Sequence, residues 1–292
     1  MGPLIECLRS LIAAAEQWRA GGSRAAFDDV RILLVDDGSP SPLEKLLPAS
    51  LFGAIEVLRL EERSGQGAAL NAALATHAAA AYAITDSDCV VADTWLTTIA
   101  RLAAERDDVG GVAGPPWRHD SPTGRKSRWL TDQETALVRH CTERAVRHRE
   151  VRLDCRNVWL RGEVVESIGP KTFFPEDAGA ALSGMTSRIL AAEKVTLGFE
   201  PAMEVRHQPL TSVRAQAVTY FSRGATSDLS DHYAAGHRSL WQAFTRTYFR
   251  RHFVEPIGAG VSPAYVLLAH GSYWCGLFRR RAGRPRRGSP GR

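Results

Sequence analysis

Two short apolar runs, each tipped with carboxylates, constrain what this chain can fold into more than any other feature. Arg31-Ile-Leu-Leu-Val leads into Asp36-Asp37-Gly38-Ser39, and Ala81-Tyr-Ala-Ile-Thr leads into Asp86-Ser87-Asp88. Short apolar runs bounded by turn residues read as strands buried in a sheet. In an open α/β sheet, ligands bind in the crevice beyond the carboxyl ends of the strands. Two acid-tipped strands there make one anionic pocket. Hard carboxylate oxygens suit a divalent cation carrying a diphosphate, and a base and ribose can be read by carboxylate hydrogen bonds.

The flanking pattern alternates in the way such a sheet requires. Residues 4–19 place Leu4, Ile5, Leu8, Leu11, Ile12 and Ala15 at helical spacing, ended by Gly21-Gly22. A strand at 31–35, a Ser-Pro-Ser-Pro turn, a short helix near 43–47 and a strand near 55–60 follow. A glycine loop at 64–67 opens an Ala-rich helix at 68–80, then come a strand at 81–85, a helix near 93–106 and a strand at 109–114. This βαβα order predicts an α/β fold with a mostly parallel central sheet and helices on both faces. Residues 117–128 are rich in Pro, Gly and charge and read as a loop. Thr131 and Glu134 read as a capping box opening a basic helix through Arg149. A further α/β stretch spans 151–207, and after Pro209 helical segments rich in Tyr, Phe and Arg take over. The expected organisation is a core over 1–210, a helical extension over 211–278 and a disordered Arg-rich tail over 279–292.

Composition narrows the partners. A chain of 292 residues, 44% hydrophobic, can bury one large core or one core with an appendage. The net charge of +5 belongs to the tail, since residues 279–292 hold seven arginines and no acid and leave the remainder net acidic. No nucleic-acid partner is expected, because phosphate tracking needs a basic patch on the folded surface. The five cysteines are scattered with no CxxC pair, and no signal peptide is evident, so a reduced, cytoplasmic compartment is expected. Residues 257–278 lack Asp, Glu, Lys and Arg, yet four glycines, a proline, two serines and His270 favour a packed or interfacial helix over a membrane span. Peripheral contact with the inner face of a membrane through the C-terminal region stays open.

Asp86 and Asp88 stand at i and i+2, so in an extended segment both carboxylates point to one side. Turn chemistry accounts for Gly38-Ser39-Pro40 but not for two consecutive carboxylates at a sheet's functional edge. Ser64-Gly65-Gln66-Gly67-Ala68-Ala69-Leu70-Asn71 puts small residues before a helix, where backbone can approach a phosphate or ribose. It lacks the third glycine of a dinucleotide fingerprint and does not follow the first strand, which excludes a dehydrogenase. Ligand contact and tight packing are both open for it. An aspartyl-phosphate phosphatase would need a lysine near the phosphate, and no strand clearly places Lys45, Lys126, Lys171 or Lys194 there.

Together these motifs resemble the family-2 glycosyltransferases, inverting enzymes of the GT-A fold that use nucleotide-diphosphate sugars. Val35-Asp-Asp-Gly-Ser39, the glycine loop through Asn71 and Asp86-Ser-Asp88 occur in that family's order and spacing. Asn157-Val-Trp-Leu-Arg161 is similar to its acceptor-side strand, Phe174-Pro-Glu-Asp177 to its acidic helix start, and Glu200 through His207 to its closing element. The resemblance covers roughly residues 4–210. It implies a three-layer α/β/α GT-A-like core, a hexosyl donor linked to UDP or dTDP, Mn²⁺ or Mg²⁺, and an acceptor that is lipid-linked or a small molecule. It also implies roles. Asp37, with Asp36 beside it, would bond the nucleobase and ribose; Gly65, Gly67 and Asn71 would line the nucleotide-sugar site. Asp88 would ligate the metal, Asp86 would contact ribose or the metal shell, and His207 would approach the metal. Asp177 would be the general base, Glu176 would position the acceptor or share that role, and Asn157 would lie on the acceptor side.

Three departures from the family pattern carry consequences. The family's first, central strand should precede the first helix, whereas this chain begins inside that helix at Met1-Gly-Pro-Leu4. A sheet without it would leave backbone groups and an apolar face unpaired. A late-assigned start or a truncated chain is one reading; a degenerate, non-catalytic binding or scaffold protein is the alternative. A longer, Gly-containing segment separates Glu176-Asp177 from Arg188, and Leu70 rather than arginine precedes Asn71.

Overall fold

The computed structural model describes residues 1–21, 26–118, 125–148, 151–207, 212–226 and 248–283. The predicted boundary near 210, Arg149 and residues 284–292 of the expected tail lie outside them, while residues 279–283 of that tail are helical rather than disordered. The chain divides into two compact units: 1–121 with 141–177 and 182–209, and 122–140 with 178–181 and 210–292. Along the chain run α1 (Gly2–Ala20), β1 (Leu33–Asp36), β2 (Glu56–Arg59), α2 (Gln66–Thr76), β3 (Ala81–Ile84), β4 (Cys89–Val91), α3 (Trp95–Glu105), β5 (Gly111–Ala113) and β6 (Pro116–Arg118). There follow α4 (Arg125–His148), β7 (Val158–Arg161), α5 (Gly162–Ile168), α6 (Leu182–Ala192), β8 (Leu197–Phe199), β9 (Val205–His207), α7 (Val213–Thr226), α8 (Glu255–Gly258) and α9 (Pro263–Gly283).

In the first unit, Pro3 sits in the first turn of α1, where a missing N–H leaves no bond unmade. The helix then serves two cores. Leu8, with Leu4, Ile5 and Ile12, packs against Leu34 of β1 and Val57 of β2. Ala14, Ala15 and Trp18 pack with Val91, Trp95 and Ile99. Burial of this kind stabilises by roughly 25 cal/mol per Å² of apolar surface removed from water.

The strands lie in three ladders: β1-β2, β3-β7-β5-β8 and β4-β9-β6. The pairs β1-β2, β5-β8 and β6-β9 are parallel, while β3-β7, β5-β7 and β4-β9 are antiparallel. The α/β alternation is as expected, but pairing among the described residues is evenly mixed. Strands of three or four residues advertise burial without advertising direction. Among the described residues β1 pairs only with β2 and β3 only with β7, so each keeps one edge outside any ladder.

Two local expectations are corrected. Pro116–Arg118 is a strand and α4 begins at Arg125, so much of the stretch read as loop is regular. Thr131 and Glu134 are not a capping box. They are buried well inside α4. In the second unit the Gln216 amide donates to Glu134 at 3.3 Å, so the Glu134 carboxylate serves helix packing. Around them Leu130 packs with Tyr220 of α7 and Val261, Tyr265, Val266 and Ala269. The α7 and α9 backbones approach so closely that a Cβ at Gly224 would meet the Tyr273 carbonyl oxygen. No helix among the described residues is long and apolar enough to cross a membrane.

Candidate functional site

One turn ties the two acid-tipped strands together. The backbone N–H groups of Ser64 and Gly65 donate to the Asp37 carboxylate at 2.7 and 2.9 Å. One residue on, the Gln66 side-chain amide donates to Asp86 Oδ1 at 2.8 Å. Gly65 makes the geometry feasible, because its φ of 93° lies in a region that L side chains rarely adopt. Asp37 and Asp86 thus converge on consecutive residues although no ladder among the described residues joins β1 to β3.

Asp88 meets His207 through strand pairing. Antiparallel β4-β9 sets Cys89 opposite His207, and Asp88, immediately before β4, lies 3.3 Å from His207 Nε2. Ligand atoms of Asp88, Cys89 and His207 all lie within 4.8 Å of one another. Burial, then the charges of Asp86 and Asp88, push the Cys89 thiol upward in pKa, so it stays protonated and is a poor ligand for a hard cation. A carboxylate oxygen and an imidazole nitrogen remain, a pair that fits Mn²⁺ or Mg²⁺. Asp86, expected beside them as a ligand, is not part of this cluster among the described residues and instead accepts from Gln66.

The two carboxylates of the triplet titrate in opposite directions. Burial, with Asp154 and Asp88 as negative neighbours, pushes Asp86 up to about 6, against the charge of Arg156 and the bond from Gln66. Burial works most strongly against charge on Asp88, but the hydrogen bond and charge of His207, a backbone N–H and the charge of Arg156 together hold Asp88 below the ordinary carboxylate value.

Other candidate residues sit around this rim in supporting positions. Asp36 is buried and organises its own turn, accepting from the N–H groups of Ser39 at 2.9 Å and Leu43 at 3.4 Å and from the Arg59 guanidinium. Asn71 on α2 accepts from Phe174 N–H at 2.8 Å and donates to Phe174 C=O at 2.9 Å, clamping the segment that leads into Glu176 and Asp177. Gly67 lets α2 lie against that segment, since a Cβ there would come 2.6 Å from the Pro175 carbonyl oxygen. Glu176 and Asp177 open a short 3₁₀ segment, Glu176–Ala181. Asn157 is fully buried, its Oδ1 accepting from the Trp95 indole at 2.9 Å and its amide donating to the Met203 and Pro115 carbonyls at 2.6 and 3.2 Å.

Two residues of this neighbourhood were not singled out from the sequence: Gln66, inside the glycine loop, and Arg156. The β3-β7 register matches Ile84 with Val158. Continued by two residues, it sets Asp86 opposite Arg156. The Thr85 hydroxyl donates to the Arg156 carbonyl at 2.9 Å. A basic residue beside a strand start was visible in sequence, but its partner follows only from register.

Several solved structures match this chain in fold. Staphylococcus aureus TarS matches at a TM-score of 0.50 and 15% identity over 95% of this chain, which spans 51% of that structure. A 1–349 form of TarS in complex with UDP-GlcNAc matches at 0.48 and 13% identity, over 97% of this chain and 89% of that one. The Pyrobaculum calidifontis mannosyltransferase in complex with GDP-Man and Mn²⁺ matches at 0.47 and 18% identity, over 91% of this chain and 81% of that one. Searched by sequence, the curated proteins give no match. The model of the family described as Glycosyl transferase family 2 matches residues 2–158, more than half of the chain and inclusive of both acidic strand tips. The chain belongs to glycosyl transferase family 2 and has that family's α/β architecture.

Proposed function

We propose that this glycosyltransferase moves a hexosyl group from a UDP- or dTDP-linked donor to an acceptor hydroxyl, with inversion at the anomeric carbon and dependence on a divalent cation. The observation that carries the reading is the meeting of Asp37 and Asp86 on the turn 64–66, with Asp88 and His207 paired beside it. Asp37 bonds the nucleoside, its carboxylate already aimed by two N–H groups. Asp88 and His207 hold Mn²⁺ or Mg²⁺, which when bound neutralises charge on the diphosphate. Asp177 takes the proton from the acceptor hydroxyl as that oxygen bonds to the anomeric carbon. The bond from that carbon to the diphosphate breaks, and its electron pair leaves with the diphosphate. Glu176 orients the acceptor.

An Asp88→Ala chain, assayed with UDP- and dTDP-sugars and Mn²⁺, should lose transfer by about a hundredfold or more while keeping its circular dichroism spectrum. Full turnover by that variant, or in the presence of a chelator, overturns the metal role. Calorimetric titration of wild type with UDP and Mn²⁺ separates the enzyme from a scaffold, which would give no heat.

A further inference from the structure

Arg156 places a guanidinium beside the acidic triplet, and none of the roles above uses it. Its position is built twice over. Extended two residues beyond its last pair, Ile84 with Val158, the β3-β7 register sets it opposite Asp86, and the Thr85 hydroxyl holds its carbonyl at 2.9 Å. Its side chain is fixed by Asp154 through two parallel bonds, Nε to Oδ1 at 2.9 Å and Nη2 to Oδ2 at 2.7 Å. Only 19% of the Arg156 side-chain area still reaches solvent. A largely buried charge of this kind is screened far less than a surface one. Its field reaches both carboxylates of the triplet and favours their ionised forms.

Without a fixed cation, Asp86, Asp88 and Asp154 would make a rim that attracts metal but repels a diphosphate. We infer that Arg156 is the charge-balancing residue of the donor site, trading divalent-cation affinity for diphosphate affinity. Its planar, permanently charged fork suits it to that task better than lysine. The inference rests on the donor and metal reading given above. It gives that reading a sign: loss of the guanidinium must move the two affinities in opposite directions. A residue that merely braced the fold would move them together.

The test is calorimetric titration of the full chain, measured separately with Mn²⁺ alone and with UDP or dTDP in chelator. Arg156→Gln is expected to bind Mn²⁺ more tightly and the nucleoside diphosphate more weakly, each by an amount on the order of tenfold. Arg156→Lys, which keeps the charge, should restore most of both. If Arg156→Gln does not fold, Asp154→Asn serves instead: it unmasks the guanidinium and should shift the same two affinities the other way, Mn²⁺ weaker and the nucleoside diphosphate tighter. Two affinities that fall together, or that do not change, overturn the inference while leaving the donor site standing. A wild-type chain that binds neither ligand overturns the donor reading and this inference with it.

Discussion

Asp86 and Asp88 are two residues apart, yet the fold treats their charges differently, and pH should expose this. Asp86, raised from 3.8 to about 6, binds its proton more readily in the folded chain than in the unfolded one. Its contribution to stability is therefore full below the unfolded value and is lost as pH rises through about 6. Asp88, held low by His207, works in the opposite sense: its contribution is present above the ordinary carboxylate value and lost as pH falls below it. Asp86→Asn removes a costly buried charge and should stabilise the metal-free chain at pH 7 by about 1 kcal/mol, read as a raised urea midpoint. Mn²⁺ affinity measured by calorimetry should weaken as pH drops below about 6 in wild type. That dependence should flatten in Asp86→Asn, and an unchanged profile would remove Asp86 from the metal's surroundings.

Among the elements, α2 does the most to assemble the rim. Its N-terminal turn binds Asp37 and Asp86, its Gly67 lies under Pro175, and its Asn71 holds Phe174. Asn71→Ala would orphan a buried N–H and a buried C=O at Phe174 and should cost about 2–4 kcal/mol in denaturant unfolding. Gly67→Val should leave β1 and β3 in place but push Pro175 and Glu176 outward. That should lower kcat in a transfer assay more than it weakens binding of UDP by calorimetry. Much of this was legible in the chain itself. The apolar runs before Asp37 and Asp86 showed where strands end, and glycines ahead of an Ala-rich helix showed where α2 begins. What was hidden depends on register. Gln66 and Arg156 matter because of what lies opposite them, and Asn71 and Asn157 look like site residues in sequence while their amides are engaged by backbone and Trp95. Likewise, Thr131 and Glu134 have capping-box spacing, but tertiary packing carried α4 past them.

At the scale of the whole molecule, the sheet architecture decides how the first unit responds to its ligands. Neither β1 nor β3 is joined to the other by backbone bonds among the described residues; the Asp37 and Asp86 contacts to residues 64–66 do that joining. A saturating nucleoside diphosphate with Mn²⁺, at about 100 times Kd, should stabilise the chain by about 2.7 kcal/mol. Scanning calorimetry would register that as a rise in Tm of about 5 °C or more. Amide exchange followed by mass spectrometry should slow at residues 33–37, 64–67 and 81–86 together, and protection at one alone would break the link.

A seam of this sort makes cargo into mortar. Asp37 and Asp86 are held on neighbouring residues of the turn 64–66, so a molecule seated across both would brace β1 against β3 more firmly than that turn does by itself. Under the proposed function each round of transfer would stiffen and slacken the same joint, and the pace of product departure would follow how firmly that joint sets.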